Sequence, residues 1–186
     1  MAAYGEELSG VTLCGTSGEF PTLRQGLDLL QKLVDEGRGE EGATEAPQIV
    51  MGWMFGRCPE GVRYGNEWIC HDPMVQTDHA GDPFDAFTKP TTNRAFLYFC
   101  QMIEVISGLE WAQKVPAALP VYNIAGDQDP VGQYGSGVYQ VSNWLADTGH
   151  KVRTKLYSGY RHEIHNYSDL KNEVEEGIIN FFREIV

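Results

Sequence analysis

The last third of the chain alternates between two apolar periods, and that alternation restricts the fold more than any other feature. Pro120-Val121-Tyr122-Asn123-Ile124-Ala125 is a short apolar run with strand character. Tyr134, Val138, Val141 and Leu145 then fall on one helical stripe, which Gly149 stops. Val152 to Tyr157 alternates apolar and polar residues, as an edge strand with one wet face does. Leu170, Val174, Ile178, Phe181 and Ile185 make a second helical stripe. Strand, helix, strand, helix predicts a parallel sheet with right-handed crossovers.

The earlier residues fit the same class. Val11-Thr12-Leu13-Cys14 reads as another buried strand, closed by Gly15-Thr16-Ser17-Gly18. Leu23 to Val34 has helical spacing, and acids and glycines from Asp35 to Glu45 mark a solvated loop. Pro47 is placed to open a helix carrying Ile49, Val50, Trp53 and Met54. Cys58 to Pro90 has no sustained period and reads as short helices and loops over a cavity. Thr91 or Thr92 can cap a long helix with Ala95, Phe96, Phe99, Met102, Ile103 and Ile106 on one side.

A chain of 186 residues with 42% hydrophobic composition supports one domain with a sizeable core. A net charge of −12 disfavours nucleic acid and anionic membrane as partners, because both require a basic face. No apolar run reaches the roughly 18 residues a membrane span needs. The four cysteines are scattered. Cys14 and Cys100 read as buried thiols, and a reduced, cytoplasmic compartment is expected.

In open parallel sheets, active groups collect at the carboxyl ends of strands. Two chemistry-bearing stretches lie there: Gly126-Asp127-Gln128-Asp129-Pro130-Val131-Gly132 after one strand, and Arg161-His162-Glu163 after the next. An acid and a histidine on neighbouring strand tips suit two members of a hydrolytic triad. The acid orients the imidazole, and the imidazole takes a proton from a nucleophile. Asp129 and His162 are the candidates. Asp129 also has a bland reading as a turn-forming Asp-Pro. Asp127 is the second choice of acid, more in keeping with a cap or a place in water. Arg161 and Glu163 read as turn and surface partners, and His165 as a surface residue.

Other groupings are weaker. Ser17 follows a strand within Gly15-Thr16-Ser17-Gly18, but Glu19, Phe20 and Pro21 separate it from the next helix, whereas a nucleophile elbow turns straight into one. Ser136 lies within the helix after the acid loop, and no cysteine has elbow glycines. His71, His79, Asp72, Asp78 and Asp82 lack the one-face spacing of a metal site. Asp127-Gln128-Asp129 lacks the later ligands of a calcium loop, with Val131 and Val138 where ligands belong. Trp53, Phe55, Trp68, Phe84, Phe87 and Phe99 fit an acyl pocket or ordinary packing equally.

These motifs resemble the C-terminal part of the α/β-hydrolases, in the serine aminopeptidase, monoacylglycerol lipase and lysophospholipase-like branch. The family's acid is the second Asp of a G-x-x-D-P-V loop, here Asp129. Its histidine lies in a G-x-R-H-E turn, here His162. Asn66 to Pro73 is similar to the family's cap. The resemblance implies a partial α/β-hydrolase fold: a short parallel sheet flanked by helices, with an inserted, mainly helical cap. Residues 1–20 would hold the strand after the nucleophile helix, 21–115 the cap, and 116–186 the βαβα part of the core.

The family's G-x-S-x-G elbow occurs nowhere in the 186 residues. The resemblance therefore implies a serine hydrolase acting on an ester or amide with an apolar acyl group, whose nucleophile-bearing N-terminal half is absent from this chain. No cofactor or metal is implied. The strand at Val11 would expose a pairing edge, to be covered by an oligomer or an N-terminal partner. The alternative is a non-catalytic, truncated hydrolase-like protein or binding partner.

Overall fold

The computed structural model describes residues 1–57, 65–84 and 90–185, with Gly56 and Arg57 described in backbone only. Cys58 and Phe87 lie outside the described residues. The elements run β1 (Val11–Cys14), α1 (Leu23–Asp35), α2 (Glu45–Met51), α3 (Pro73–Gly81), α4 (Asn93–Val105), α5 (Gly108–Ala112), β2 (Val121–Gly126), α6 (Ser136–Asp147), β3 (Val152–Tyr157) and α7 (Lys171–Ile185). The strands form a parallel sheet in the order β1-β2-β3. The parallel βαβα sheet is the one the alternating periods predict, and the architecture is the partial α/β-hydrolase fold that the resemblance implies.

β2 is central and buried at every residue, which is why its sequence is almost continuously apolar. Its side chains alternate between two layers. Tyr122 and Ile124 pack with Tyr157 against Val174 and Phe181 of α7. Val121 faces Val141 and Leu145 of α6. Asn123 is the polar exception and is wholly buried. Its amide donates to the Val138 carbonyl at 3.1 Å and to Ser142 Oγ at 3.0 Å, and its carbonyl accepts from Thr16 Oγ1 at 3.0 Å. A buried amide side chain is tolerated when satisfied in this way. Asn123 thus joins β2, α6 and the loop after β1.

A separate helical cluster stands beside the sheet, built from α1, α2 and α4 around Leu27, Leu30, Val50, Phe96, Leu97 and Cys100. α4 differs from its predicted register. Thr92 caps it, accepting from Ala95 N at 3.2 Å, but the buried stripe is Phe96, Leu97, Cys100 and Ile103. Phe99, Met102 and Ile106 are exposed. Both stripes are apolar, so periodicity alone could not choose which one faces α1. Pro47 is the third residue of α2 rather than its first, still within the turn whose amides need no intrahelical partner.

Cys100 is buried as expected, but Cys14 is exposed, contrary to the reading of a buried thiol. The reason is its position on β1, which has a strand neighbour on one side only among the described residues. Among the described residues β3 forms the other edge, with Arg153 in solvent. No helix of the described residues is long and apolar enough to cross a membrane.

Candidate active site

β2 and β3 pair along their whole lengths, from Val121↔Val152 to Gly126↔Tyr157. That register ends both strands at the same level, so the loops that follow must meet. Asp127 N donates to the Tyr157 carbonyl at 2.9 Å, and Gln128 N to the Tyr160 carbonyl at 2.9 Å. Gly126 permits this approach: a Cβ there would stand 2.0 Å from the Tyr160 carbonyl oxygen. Burial pushes the Asp127 pKa up, but hydrogen bonds to its carboxylate from Gly159 N, at 2.7 Å to Oδ1, and from the Ser158 and Gln128 side chains outweigh it and lower the pKa. It braces the turn before His162.

Asp129 and His162, 33 residues apart in sequence, meet at this junction: His162 Nδ1 lies 3.0 Å from Asp129 Oδ2. The Asp129 side chain is wholly buried and that of His162 is 28% exposed. The other carboxylate oxygen, Oδ1, accepts from Val131 N at 2.8 Å. Asp129 therefore makes the turn that an Asp-Pro sequence predicts and also holds the histidine, one oxygen for each. Its carbonyl accepts from Tyr134 N at 2.8 Å, and Tyr134 Oη donates to the Met54 carbonyl at 2.9 Å. Gln133 and Tyr134 adopt φ of 54° and 56°, a left-handed pair costing on the order of 1–3 kcal/mol each, which these bonds help to hold.

A carboxylate only accepts, so the proton of this hydrogen bond resides on Nδ1, and Nε2 keeps the basic lone pair. Burial pulls the His162 pKa down. The hydrogen bond and charge of Asp129, with Glu163, outweigh it and raise the pKa above its ordinary value. The ring is confined on two sides. Trp68 packs at a centroid distance of 5.4 Å, itself 5.5 Å from Phe55. Gly15, with φ of +66°, lies so close that a Cβ there would fall 2.7 Å from His162 Cε1. Such a buried acid, a fixed tautomer and a partly open base can draw a proton from a hydroxyl brought to Nε2.

The remaining candidates lie elsewhere. Ser17 lines a cavity of about 410 Å³ with Leu13, Ile103, Trp111 and Trp144, and no described hydrogen bond links it to His162. Ser136 Oγ is used at the start of α6, donating to the Gln133 carbonyl at 2.7 Å. Asp72 caps α3, accepting from Met74 N at 2.8 Å, and Asp82 accepts from Phe84 N at 2.8 Å. His71 packs against Tyr160 and Tyr167, while His79 stands 4.0 Å from Glu163. Among the described residues no three of His, Cys, Asp and Glu are grouped to hold a metal. Of the described members of the aromatic set, Phe84 is 93% exposed, Trp53 and Phe99 are also exposed, and Trp68 packs against His162 with Phe55 behind it. Arg161 is buried rather than superficial and donates to the Glu67 carbonyl. His165 is exposed. Cys14 is exposed as a residue, yet its thiol is pushed up to about 11 by desolvation and by the carboxylates of Asp129 and Glu163. That leaves little thiolate to serve as a nucleophile. Gly15, Gly126 and Tyr167 were not anticipated, because what each does depends on a residue far along the chain.

A parallel sheet covered by helices on both faces, with an acid–imidazole pair on adjacent strand tips, is a partial version of the α/β-hydrolase fold. No protein-family model matches the chain, and no curated protein matches it. Among solved structures, it is similar over its whole length to a highly thermostable carboxyl esterase from Bacillus coagulans in complex with glycerol, at 55% identity and a TM-score of 0.91. A lipase in an open form aligns with 99% of the chain at 27% identity and a TM-score of 0.82. A soluble variant of monoglyceride lipase from Saccharomyces cerevisiae shares the fold, at 13% identity and a TM-score of 0.62. The chain spans 60% of the esterase and 59% of each of the two lipases.

Proposed function

We propose that this chain is the acid-and-histidine part of a serine hydrolase that cleaves carboxyl esters, or amides, with an apolar acyl group. Its nucleophilic serine and oxyanion donors come from polypeptide outside these 186 residues. The observation that carries this reading is the 3.0 Å contact between His162 Nδ1 and the fully buried Asp129. In the assembled enzyme, Nε2 of His162 takes the proton of the serine as it attacks the carbonyl, then returns it to the leaving group. Asp129 holds the tautomer and stabilises the imidazolium without itself being protonated. Residues 21–115 act as the cap, and Trp68 and Phe55 bound the acyl side beside His162. Similarity to a carboxyl esterase at 55% identity supports ester substrates. The free thiols Cys14, Cys70 and Cys100 suit a reducing, cytoplasmic setting.

Two features support a covering partner on the open side of the sheet. β1 has no outer strand neighbour among the described residues, and the cavity lined by Leu13, Trp111 and Trp144 opens beside it. An uncovered strand edge next to apolar surface invites pairing. The same features favour the second reading, a non-catalytic binding protein, so the test must separate the two. The chain is mixed with a polypeptide comprising the part of the Bacillus coagulans esterase that it does not cover, and hydrolysis of a p-nitrophenyl ester is followed. The expected result is a stable complex whose activity disappears with His162→Ala, while the isolated chain is inactive and unlabelled by a fluorophosphonate. A complex without hydrolysis supports the non-catalytic reading. Stoichiometric labelling of Ser17 in the isolated chain overturns the claim of an external serine.

A further inference from the structure

The turn that carries His162 is held from a place the acid loop does not reach. Tyr167 is 2% exposed, and its phenolic oxygen accepts from two backbone amides: Arg161 N at 3.1 Å and His71 N at 3.0 Å. The first amide belongs to the residue before His162. The second belongs to the segment that carries Trp68. The hydroxyl lies 3.3 Å from His71 Nδ1, within reach of its own proton when that nitrogen bears the lone pair. The ring is gripped edge-on, by Tyr160 at 4.8 Å and 84° and by His71 at 4.7 Å and 60°. Its carbonyl accepts from Leu170 N at 3.2 Å and Lys171 N at 2.9 Å, which ties it to the start of α7.

His162 is thereby bracketed. Arg161 N is fixed on Tyr167, and Glu163 N is fixed on the Ile69 carbonyl at 3.0 Å. The Arg161 guanidinium adds a bond to the Glu67 carbonyl. Arg161 N–H lies one peptide unit before the one that enters His162, and Glu163 N–H lies in the unit that leaves it, so the two bonds restrain the turn on either side of His162 and narrow where its Cα can stand.

We propose that Tyr167 is a positioning residue: its hydroxyl clamps the His162 turn to the Trp68 segment and so sets the His162–Asp129 geometry. Its consequence for turnover rests on the hydrolase reading above, but the clamp itself is measurable in the isolated chain. Tyr167→Phe keeps the packed ring and removes the shared acceptor. NMR amide exchange should then speed up by about tenfold or more at both His71 and Arg161, with Val174 in α7 unchanged. The His162 Nδ1 proton signal should broaden or disappear, and the His162 midpoint should move toward its ordinary value of 6.5. Unchanged exchange at either amide overturns the proposal. Faster exchange with an unaltered Nδ1 signal and midpoint also overturns it, because Tyr167 would then be structural only.

Should Tyr167→Phe fail to fold, exchange in the unaltered chain decides. Two amides sharing one acceptor should open together, with protection agreeing within roughly threefold, and protection differing by more than about tenfold overturns the clamp. In the complex with the esterase polypeptide, Tyr167→Phe should lower kcat with KM little changed. Absence of activity in that complex before any substitution counts against the hydrolase reading alone.

Discussion

Replacing Gly126 by Ala tests whether the junction of β2 with the His162 turn is as tight as the geometry requires. The added Cβ would lie 2.0 Å from the Tyr160 carbonyl oxygen, 2.3 Å from its carbon and 2.4 Å from the Arg161 oxygen. Real Cβ contacts are essentially never under 3.0 Å, so main chain must withdraw by at least the difference, 1.0 Å. Both obstacles are backbone, and no rotamer change relieves them. Such overpacking costs about 1–3 kcal/mol. The withdrawal also loosens two hydrogen bonds, Gln128 N to Tyr160 O and Gly159 N to Asp127 Oδ1, at roughly 1 kcal/mol each. Ala restricts the unfolded chain and returns about 0.4–1 kcal/mol. The net loss is about 3 kcal/mol, which for a chain of this size lowers Tm by roughly 6–12 °C.

Gly81 in α3 has nothing within 4 Å of its added Cβ and serves as the control. Gly81→Ala should shift stability by less than about 1 kcal/mol. Thermal melting and the His162 Nδ1 proton resonance together read the outcome, and in a reconstituted enzyme a displacement of about 1 Å should cost on the order of 10²-fold in rate. A Gly126→Ala chain that melts within about 2 °C of the parent, with His162 unmoved, would refute the idea that this contact positions the histidine.

Asp129→Asn should lower kcat of the reconstituted hydrolase on the order of 10⁴-fold, because an amide can hold the imidazole in the wrong tautomer; a loss below about tenfold in the ester assay would remove Asp129 from the mechanism. The folded His162 pKa lies above its unfolded value of 6.5, so its pairing stabilises the fold fully below that pH and the contribution fades as pH rises through the raised value. Urea midpoints measured from pH 6 upward should therefore fall with a component that His162→Gln abolishes. Cys14, with its thiol pushed up to about 11 from 9.0, should alkylate on the order of 10²-fold more slowly at pH 8 than an ordinary thiol, despite its exposure. Arg161→Met should cost about 1–3 kcal/mol in urea unfolding, since the Glu67 carbonyl loses a buried donor.

Local order was legible without coordinates. The βαβα pattern, the strand-end placement of Asp129 and His162, and a helix cap at Thr91 or Thr92 all rest on spacings of a few residues, and side-chain periodicity obeys local rules. Which apolar stripe of α4 would be buried was not legible, because Phe96-Leu97-Cys100-Ile103 and Phe99-Met102-Ile106 differ only in what lies opposite. The sequence favours Asp129 as the histidine's partner over a turn-forming Asp, and the structure has it do both, with one oxygen for each.

The tertiary structure decided those points. Pairing β2 with β3 in the register Gly126↔Tyr157 brings two distant loops to one place, and only then do Gly15, Gly126 and Tyr167 acquire work to do. Tyr167 and His71 are 96 residues apart, a contact no local pattern encodes. Composition and period therefore determined what the elements are and where the acid and the histidine could stand. The distance between them, and what holds it, came from packing, because close approach depends on the shape of both surfaces at once.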